Sequence, residues 1–459
     1  MSGGAAASAP MDELRPALEG VVPAIMATVA TDGTPNVAYI SQVHHVDDHH
    51  VALSFQFFNK TRQNLLAHPR STVLLTHPHT GGFYRLHLRY LRTETAGPVF
   101  ESMKAQLAGI ASHSGMADVF VLRGADIHEV LQIERLPGEP FGETLPVPPP
   151  RPGLLAALRR ASARLVAAGH LAGLLEATLD ALAHEFDIPH AMLLILDHGT
   201  QRLYTVASRG YATSGVGSEM ALGHGVIGVA ARERTPVRIN HMTSAYLYNQ
   251  AMRQGMDGSD GVSTDIPYPG LAAPRSQLAV PLLSAGRVLG VLFVESGQDM
   301  RFSYEDEDML VTLGGQLASA MALMQSCEEG CDEAPPAEPP AAAGGSPMHA
   351  HAHTHLRVRR YRSNDSIFIN NAYLIKGVAG AILWKLLTEQ QRGRHDFTNR
   401  ELRLDASLRL PDVADNLEAR LLLLNRRLAE QCPQLRLHKT ARGCFRLEVL
   451  GTTELEDSP

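Results

Sequence analysis

Three groups of residues in this chain combine types and spacing that suit chemistry. In NKTRQNLLAHP, Lys60, Thr61 and Arg62 stand where a short helix begins. Cations beside the free N–H groups of a helix start suit a phosphate or another anion. In PDVADNLEARLLLLNRRLAEQ, residues 411–431, Leu417, Leu421, Leu424 and Leu428 recur at helical spacing. Arg420, Arg426 and Arg427 lie off that apolar face, and a hairpin with a basic tip, Thr440-Ala441-Arg442-Gly443, follows. Such an amphipathic basic helix suits a polyanion. In MHAHAHTH, His349, His351, His353 and His355 occupy every second position. Imidazoles so spaced chelate a transition metal or simply form a low-complexity tract. We expect the tract, and no metal centre.

Other reactive residues are less promising. His44, His45, His49 and His50 alternate across a strand and point to opposite faces. Cys327 and Cys331 stand among Glu328, Glu329 and Asp332, whose charge raises a thiol pKa and lowers its reactivity. No nucleophile triad, phosphate loop or metalloprotease motif stands out.

The 459 residues are 44% hydrophobic with a net charge of −7, which excludes a chain disordered throughout. No apolar run is long enough to cross a bilayer, and the start lacks a signal-peptide pattern. Four cysteines give no disulfide framework, so a cytoplasmic protein is expected. The charge is uneven. Residues 356–450 hold 18 Lys and Arg against 10 Asp and Glu, a net of +8 on an acidic chain. That asymmetry points to a polyanion partner for this segment.

A Pro-rich stretch at 146–152 and a Pro/Ala/His-rich stretch at 328–355 read as linkers. They leave units at 11–145, 153–327 and 356–450. The expected architecture is an α+β multidomain chain.

In the first unit, strands at Val22–Ala30 and Val37–Val46 join at Asp32-Gly33, a third strand covers Val51–Phe58, a helix covers 60–68, and a later strand is expected at Val119–Leu122. ATVATDGTPNVAYISQVHHVDDHHVALSFQFFNKTRQNLLAHPRSTVLL resembles the opening of the pyridoxamine-phosphate-oxidase-like split β-barrel. The resemblance implies FMN, with Ser54, Phe55, Gln56, Lys60, Thr61, Arg62 and Asn64 holding its phosphate and ribityl chain. The oxidase's C-terminal substrate residues are not recognisable here, which argues against a pyridoxamine substrate.

In the second unit, helices at 154–168 and 171–185 precede strands, a variable middle, a strand pair around Ala285-Gly286 and a long helix from Tyr304. GHGVIGVAARERTPVRI, SQLAVPLLSAGRVLGVLFVES and RFSYEDEDMLVTLGGQLASAM resemble a GAF domain, an α/β/α sandwich. The resemblance implies an unknown small-molecule ligand under the variable middle, with Tyr246, Tyr248, Asn249 and Arg253 as contacts, and pairing of two subunits through the long helices. A bilin-attachment cysteine and a cyclic-nucleotide signature are missing.

The third unit reads as a strand pair turning at Asn364-Asp365 and again near Asn370-Asn371. A helix with Trp384 follows, then a helix capped at Thr398 or Asn399, the 411–431 helix and a hairpin. This resembles the winged helix of OmpR/PhoB-type response regulators. It implies DNA contacts from Asn416, Arg420, Asn425, Arg426 and Arg427, with Lys439 and Arg442 on the wing. The expected function is a one-component, homodimeric transcriptional regulator that senses a flavin, redox state or small ligand. The alternative is an FMN-dependent oxidoreductase with regulatory domains, and a third reading is a scaffold.

Overall fold

The computed structural model describes residues 7–19, 22–56, 60–113, 121–137, 152–240, 266–331, 355–408, 410, 417–441 and 443–458. Among them, the N-terminal unit is an eight-stranded antiparallel sheet. Its strands are β1 (Ala7–Ser8), β2 (Ala24–Val29), β3 (Pro35–Ile40), β4 (Val43–Asp47), β5 (His50–Phe55), β6 (Arg70–Thr76), β7 (Phe83–Glu94) and β8 (Gly124–Leu136). The order is β3-β2-β6-β7-β8-β5-β4, with β1 on β8. β3 and β4 end the order without pairing, so the curled sheet stays open between them. Helix Lys60–Ala67 lies against β2 and β3, and apolar residues such as Met26, Val51, Val73 and Leu86 fill the interior.

Two expectations need correction here. The strand expected from Val37 to Val46 is two strands, because the chain turns at Ser41-Gln42. Of the stretch 119–122, residues 119 and 120 lie outside the described residues and 121 and 122 form no strand; the thirteen-residue β8 begins just beyond, at Gly124. Its Asp126, His128, Glu129 and Glu134 break the apolar alternation that marks a strand in sequence.

The middle unit has a six-stranded sheet of β9 (Ala191–Asp197), β10 (Arg202–Arg209), β11 (Glu219–Ala221), β12 (Val237–Ile239), β13 (Ser276–Ser284) and β14 (Arg287–Ser296). The order is β11-β10-β9-β14-β13-β12. Helices Leu154–Ala167, Leu171–Glu185 and Tyr304–Cys331 cover one face, and helix Gly225–Glu233 the other. Ser303 starts the long helix: its Oγ accepts from Asp306 N–H at 3.2 Å, while Asp306 accepts from Ser303 N–H at 2.8 Å. No helix among the described residues is long and apolar enough to cross a membrane.

The N-terminal unit is joined to the middle one by helix Pro98–His113. Ala105 enters the core beneath helix Gly225–Glu233, and Lys104 pairs with Glu233 at 2.7 Å. Tyr304 lies between two guanidiniums, Arg15 at 4.3 Å and Arg238 at 4.1 Å from the ring centre.

The C-terminal unit opens with β15 (His355–Tyr361), β16 (Ser366–Ile369) and β17 (Ala372–Ile375). Asp365, Asn370 and Asn371 take the left-handed backbone that their turns require. Helices Gly377–Gln391, Asn399–Leu404 and Leu417–Gln431 follow. Thr398 and Glu401 form a reciprocal capping box on the second of these helices. A second sheet has the order β18 (Asp396–Thr398), β20 (Cys444–Val449), β19 (Leu435–Ala441).

The last strand, β21 (Thr452–Ser458), runs parallel to β15 and brings acids to its arginines. Glu456 pairs with Arg357 and Arg359, and Asp457 with Arg362. The positive surplus read from 356–450 is thus partly neutralised by acids just beyond it. The described part of the expected 411–431 helix begins at Leu417.

Candidate functional sites

The first site lies where the N-terminal sheet is open. A cleft of about 120 Å³ is lined by Tyr39, Ile40 and Ser41 on one side and Ser54, Phe55 and Gln56 on the other, with Thr61, Arg62 and Asp126 below. Ser54 Oγ and Gln56 Oε1 are buried here without a hydrogen-bond partner. A buried polar atom left unpaired is costly, so these two atoms mark a place for a polar ligand group.

Most of the other residues expected to hold a phosphate and ribityl chain are engaged within the protein. Arg62 Nη1 donates to Asp126 Oδ1 at 2.5 Å and also to Oδ2, and Arg62 Nη2 donates to Thr93 at 2.8 Å. The guanidinium lies 3.8 Å from the Phe55 ring centre. Thr61 accepts from Asn36 Nδ2 at 2.9 Å, and Asn64 donates to Thr28 at 3.1 Å, tying the helix to β2 and β3. Lys60 is exposed at the helix start. The residues present therefore fit the uncharged polar part of a flavin through Ser54 and Gln56. At the phosphate end they offer Lys60 and the helix start, because the charge of Arg62 is already met by Asp126.

Asp126, Thr93 and His128 were not anticipated as site residues. His128 is fully buried, with Nδ1 2.8 Å from Asp126 O, Nε2 unpartnered, and its ring edge-on to Tyr90 at 5.6 Å. Burial lowers its pKa and keeps the ring neutral. The signal in sequence for Asp126 and His128 is two polar residues on alternate positions of β8, and Thr93 reaches them from the neighbouring β7.

The second site is in the middle unit, at one end of β13 and β14. Glu295 is buried and accepts from Leu271 N–H at 2.8 Å and Gln277 Nε2 at 3.1 Å. Burial raises its pKa above the ordinary carboxylate range. Gln277 Oε1 is buried and unpartnered. The Tyr211 ring packs beside His190 at 5.8 Å, and burial followed by the charge of Glu295 pushes the phenol pKa up. A lone acid at the end of the apolar run in β14 is the sequence signal for this cluster. Tyr246, Tyr248, Asn249 and Arg253 lie outside the described residues.

The third site is helix Leu417–Gln431. Its arginines, expected to face DNA, face the middle unit or their own domain instead. Arg420 is buried, pairs with Asp197 at 3.1 Å, and stands 5.7 Å from the Tyr204 ring centre. Arg426 donates to Val206 O at 2.6 Å and to Glu176 at 3.3 Å. Arg427, also buried, donates to Leu374 O at 3.0 Å and to Glu430 at 3.4 Å. The cause of this departure is packing: one continuous apolar cluster, including Leu423 and Leu424, joins this helix to the middle unit.

Asn425 and Lys439 line a cleft of about 290 Å³ that reaches His170 of the middle unit, and Lys439 also pairs with Glu418 at 3.1 Å. Asn416 and Arg442 lie outside the described residues. No group of three or more His, Cys, Asp or Glu among the described residues could hold a metal ion.

Comparison with known families matches residues 10–130 to pyridoxamine 5′-phosphate oxidase and residues 169–322 to the GAF domain. No curated protein matches the chain. Among solved structures, the GAF domain of an Acinetobacter phosphoenolpyruvate-protein phosphotransferase is 25% identical, covering 38% of this chain and 94% of its own, with a TM-score of 0.31. A free methionine-R-sulfoxide reductase from Neisseria meningitidis is 18% identical over 40% of this chain and 98% of its own, with a TM-score of 0.31. An FMN-binding protein from Syntrophomonas wolfei is 18% identical over 28% of this chain and 88% of its own, with a TM-score of 0.24. The chain therefore carries a pyridoxamine-phosphate-oxidase-like domain over residues 10–130 and a GAF domain over residues 169–322, a combination that points to a regulatory or sensory protein.

Proposed function

We propose that this chain is a one-component transcriptional regulator, in which the first two domains take the signal and the C-terminal unit is a winged helix that binds DNA. The observation that carries this reading is the order of elements in that unit. A small sheet precedes three helices, the third of them basic and amphipathic, and a hairpin returns beside it. This third helix is in direct contact with the GAF sheet, which gives a signal in that domain a short route to it.

The signal enters through one or both of the buried polar clusters. In the N-terminal cleft, FMN would be held by Ser54 and Gln56 at its uncharged polar groups and by Lys60 at its phosphate. When bound, it supplies redox sensitivity. In the GAF domain, Gln277 Oε1 offers an acceptor to a small polar ligand.

The protein is a homodimer in this reading. Leu155 (81% exposed) and Val166 (85% exposed) on the first GAF helix, with Leu323 on the last, leave an apolar surface for a second copy.

The test selects fragments of the source genome with the full chain, in wild-type form and with helix 417–431 freed from the GAF domain. Recovery of a shared sequence by either form supports the reading. Arg442→Ala is then expected to weaken binding to all sequences and to reduce the salt slope by about 1. If neither form enriches a sequence and the flavin-loaded protein turns over NAD(P)H, the FMN-dependent oxidoreductase replaces it.

A further inference from the structure

We infer that the GAF domain is a latch on the C-terminal unit, holding helix Leu417–Gln431 with its arginines turned away from any nucleic acid until a signal releases it. This rests on the DNA-binding reading above and adds how binding is controlled.

The latch is built from specific polar contacts. Arg420 and Asp197 are only 4% and 8% exposed, and Arg426 spans Val206 O and Glu176. Asp197 is fixed in turn by Gly199 N–H at 2.9 Å and Thr200 N–H at 3.3 Å. A second stitch joins Lys376 of the C-terminal unit to Glu219 of β11 at 3.5 Å. The two surfaces are in van der Waals contact: at Gly217, in left-handed backbone, a Cβ would meet Ile266 of the middle unit at 2.7 Å and, across the interface, Arg427 at 3.5 Å and Leu423 at 3.7 Å.

Arg420 is paired and buried, and Arg426 is half-buried with both terminal nitrogens already donating, so neither is presented to a phosphate or a base edge. Binding DNA through Arg420 and Arg426 therefore requires the helix to leave the GAF sheet. β10 is the strand through which a signal reaches the latch. Tyr204 and Val206 contribute to the core on the latch side, while Leu203 faces the opposite core, beneath helix Gly225–Glu233. A ligand that binds the two arrangements unequally shifts the equilibrium between them.

The test compares full-length wild type with Asp197→Asn and reads two quantities: amide hydrogen exchange over residues 417–431 and retention on fragments of the source genome. Faster exchange together with about tenfold tighter retention is expected. Wild type binding as tightly as the variant overturns the latch and leaves the DNA reading standing. Faster exchange with no retention by either protein overturns both. Unchanged exchange shows that Asp197 holds nothing and overturns the latch. If Asp197→Asn misfolds by circular dichroism, Glu219→Gln cuts the second stitch instead, with a smaller rise in both quantities expected and the same contrary outcomes.

Discussion

Arg62 and Arg420 are the same device in two places. Each is a nearly buried guanidinium paired with a buried aspartate and set near an aromatic ring: Asp126 and Phe55 for one, Asp197 and Tyr204 for the other. The difference is whose aspartate it is. Arg62 and Asp126 belong to one barrel, and they stay largely buried at the edge of its cleft for as long as that barrel is folded. Arg420 and Asp197 belong to different domains, and both regain water when those domains part. A buried pair inside a domain is a permanent stitch, whereas one across an interface is a reversible contact.

The largest effect follows from that contrast. Arg62→Ala strands Asp126 inside the barrel and is expected to cost about 3–5 kcal/mol, measured as a loss in the urea midpoint of the N-terminal transition. Arg420→Ala, with its partner free to rehydrate, is expected to cost about 1–2 kcal/mol of that stability scale and to act mainly on domain contact. Equal costs would break the comparison.

A second interface tests it by pH. His44 of the barrel faces Glu307 and Arg238 of the GAF domain, and burial lowers its pKa to about 4 from the ordinary 6.5. Because the folded value lies below the unfolded one, the unfolded chain binds the proton first. Stability is therefore intact above about pH 6.5 and falls toward pH 4, by at most about 3 kcal/mol. Thermal melts across that range should show the slope, and His44→Gln should flatten it.

The smallest effect is at the cleft. Ser54→Ala removes a buried hydroxyl that bonds to nothing, so melting in the absence of ligand should be unchanged or raised by up to about 1 kcal/mol. The same change should weaken FMN retention, followed by flavin absorbance after desalting. A clear loss of stability without ligand would mean that the hydroxyl is structural.

Much of the architecture was legible from residue patterns, because those patterns are local. Helical spacing marks 154–168 and 171–185, Asp365 and the Asn370-Asn371 pair mark tight turns, and Thr398 with Glu401 marks a helix start. β8 was hidden by its own polar residues. β21 was hidden because its parallel partner, β15, lies almost 100 residues earlier in the chain.

The sequence by itself determined which residues carry charge, where the apolar faces run and where the chain turns, since these depend on neighbours within a few positions. It also placed Lys60, Thr61 and Arg62 at a helix start. Only the tertiary structure decided what each charge meets. Arg62 finds Asp126 sixty-four residues on, and Arg426 finds the Val206 carbonyl 220 residues back. Pairings at that distance are set by how sheets and helices stack, and no local pattern encodes them.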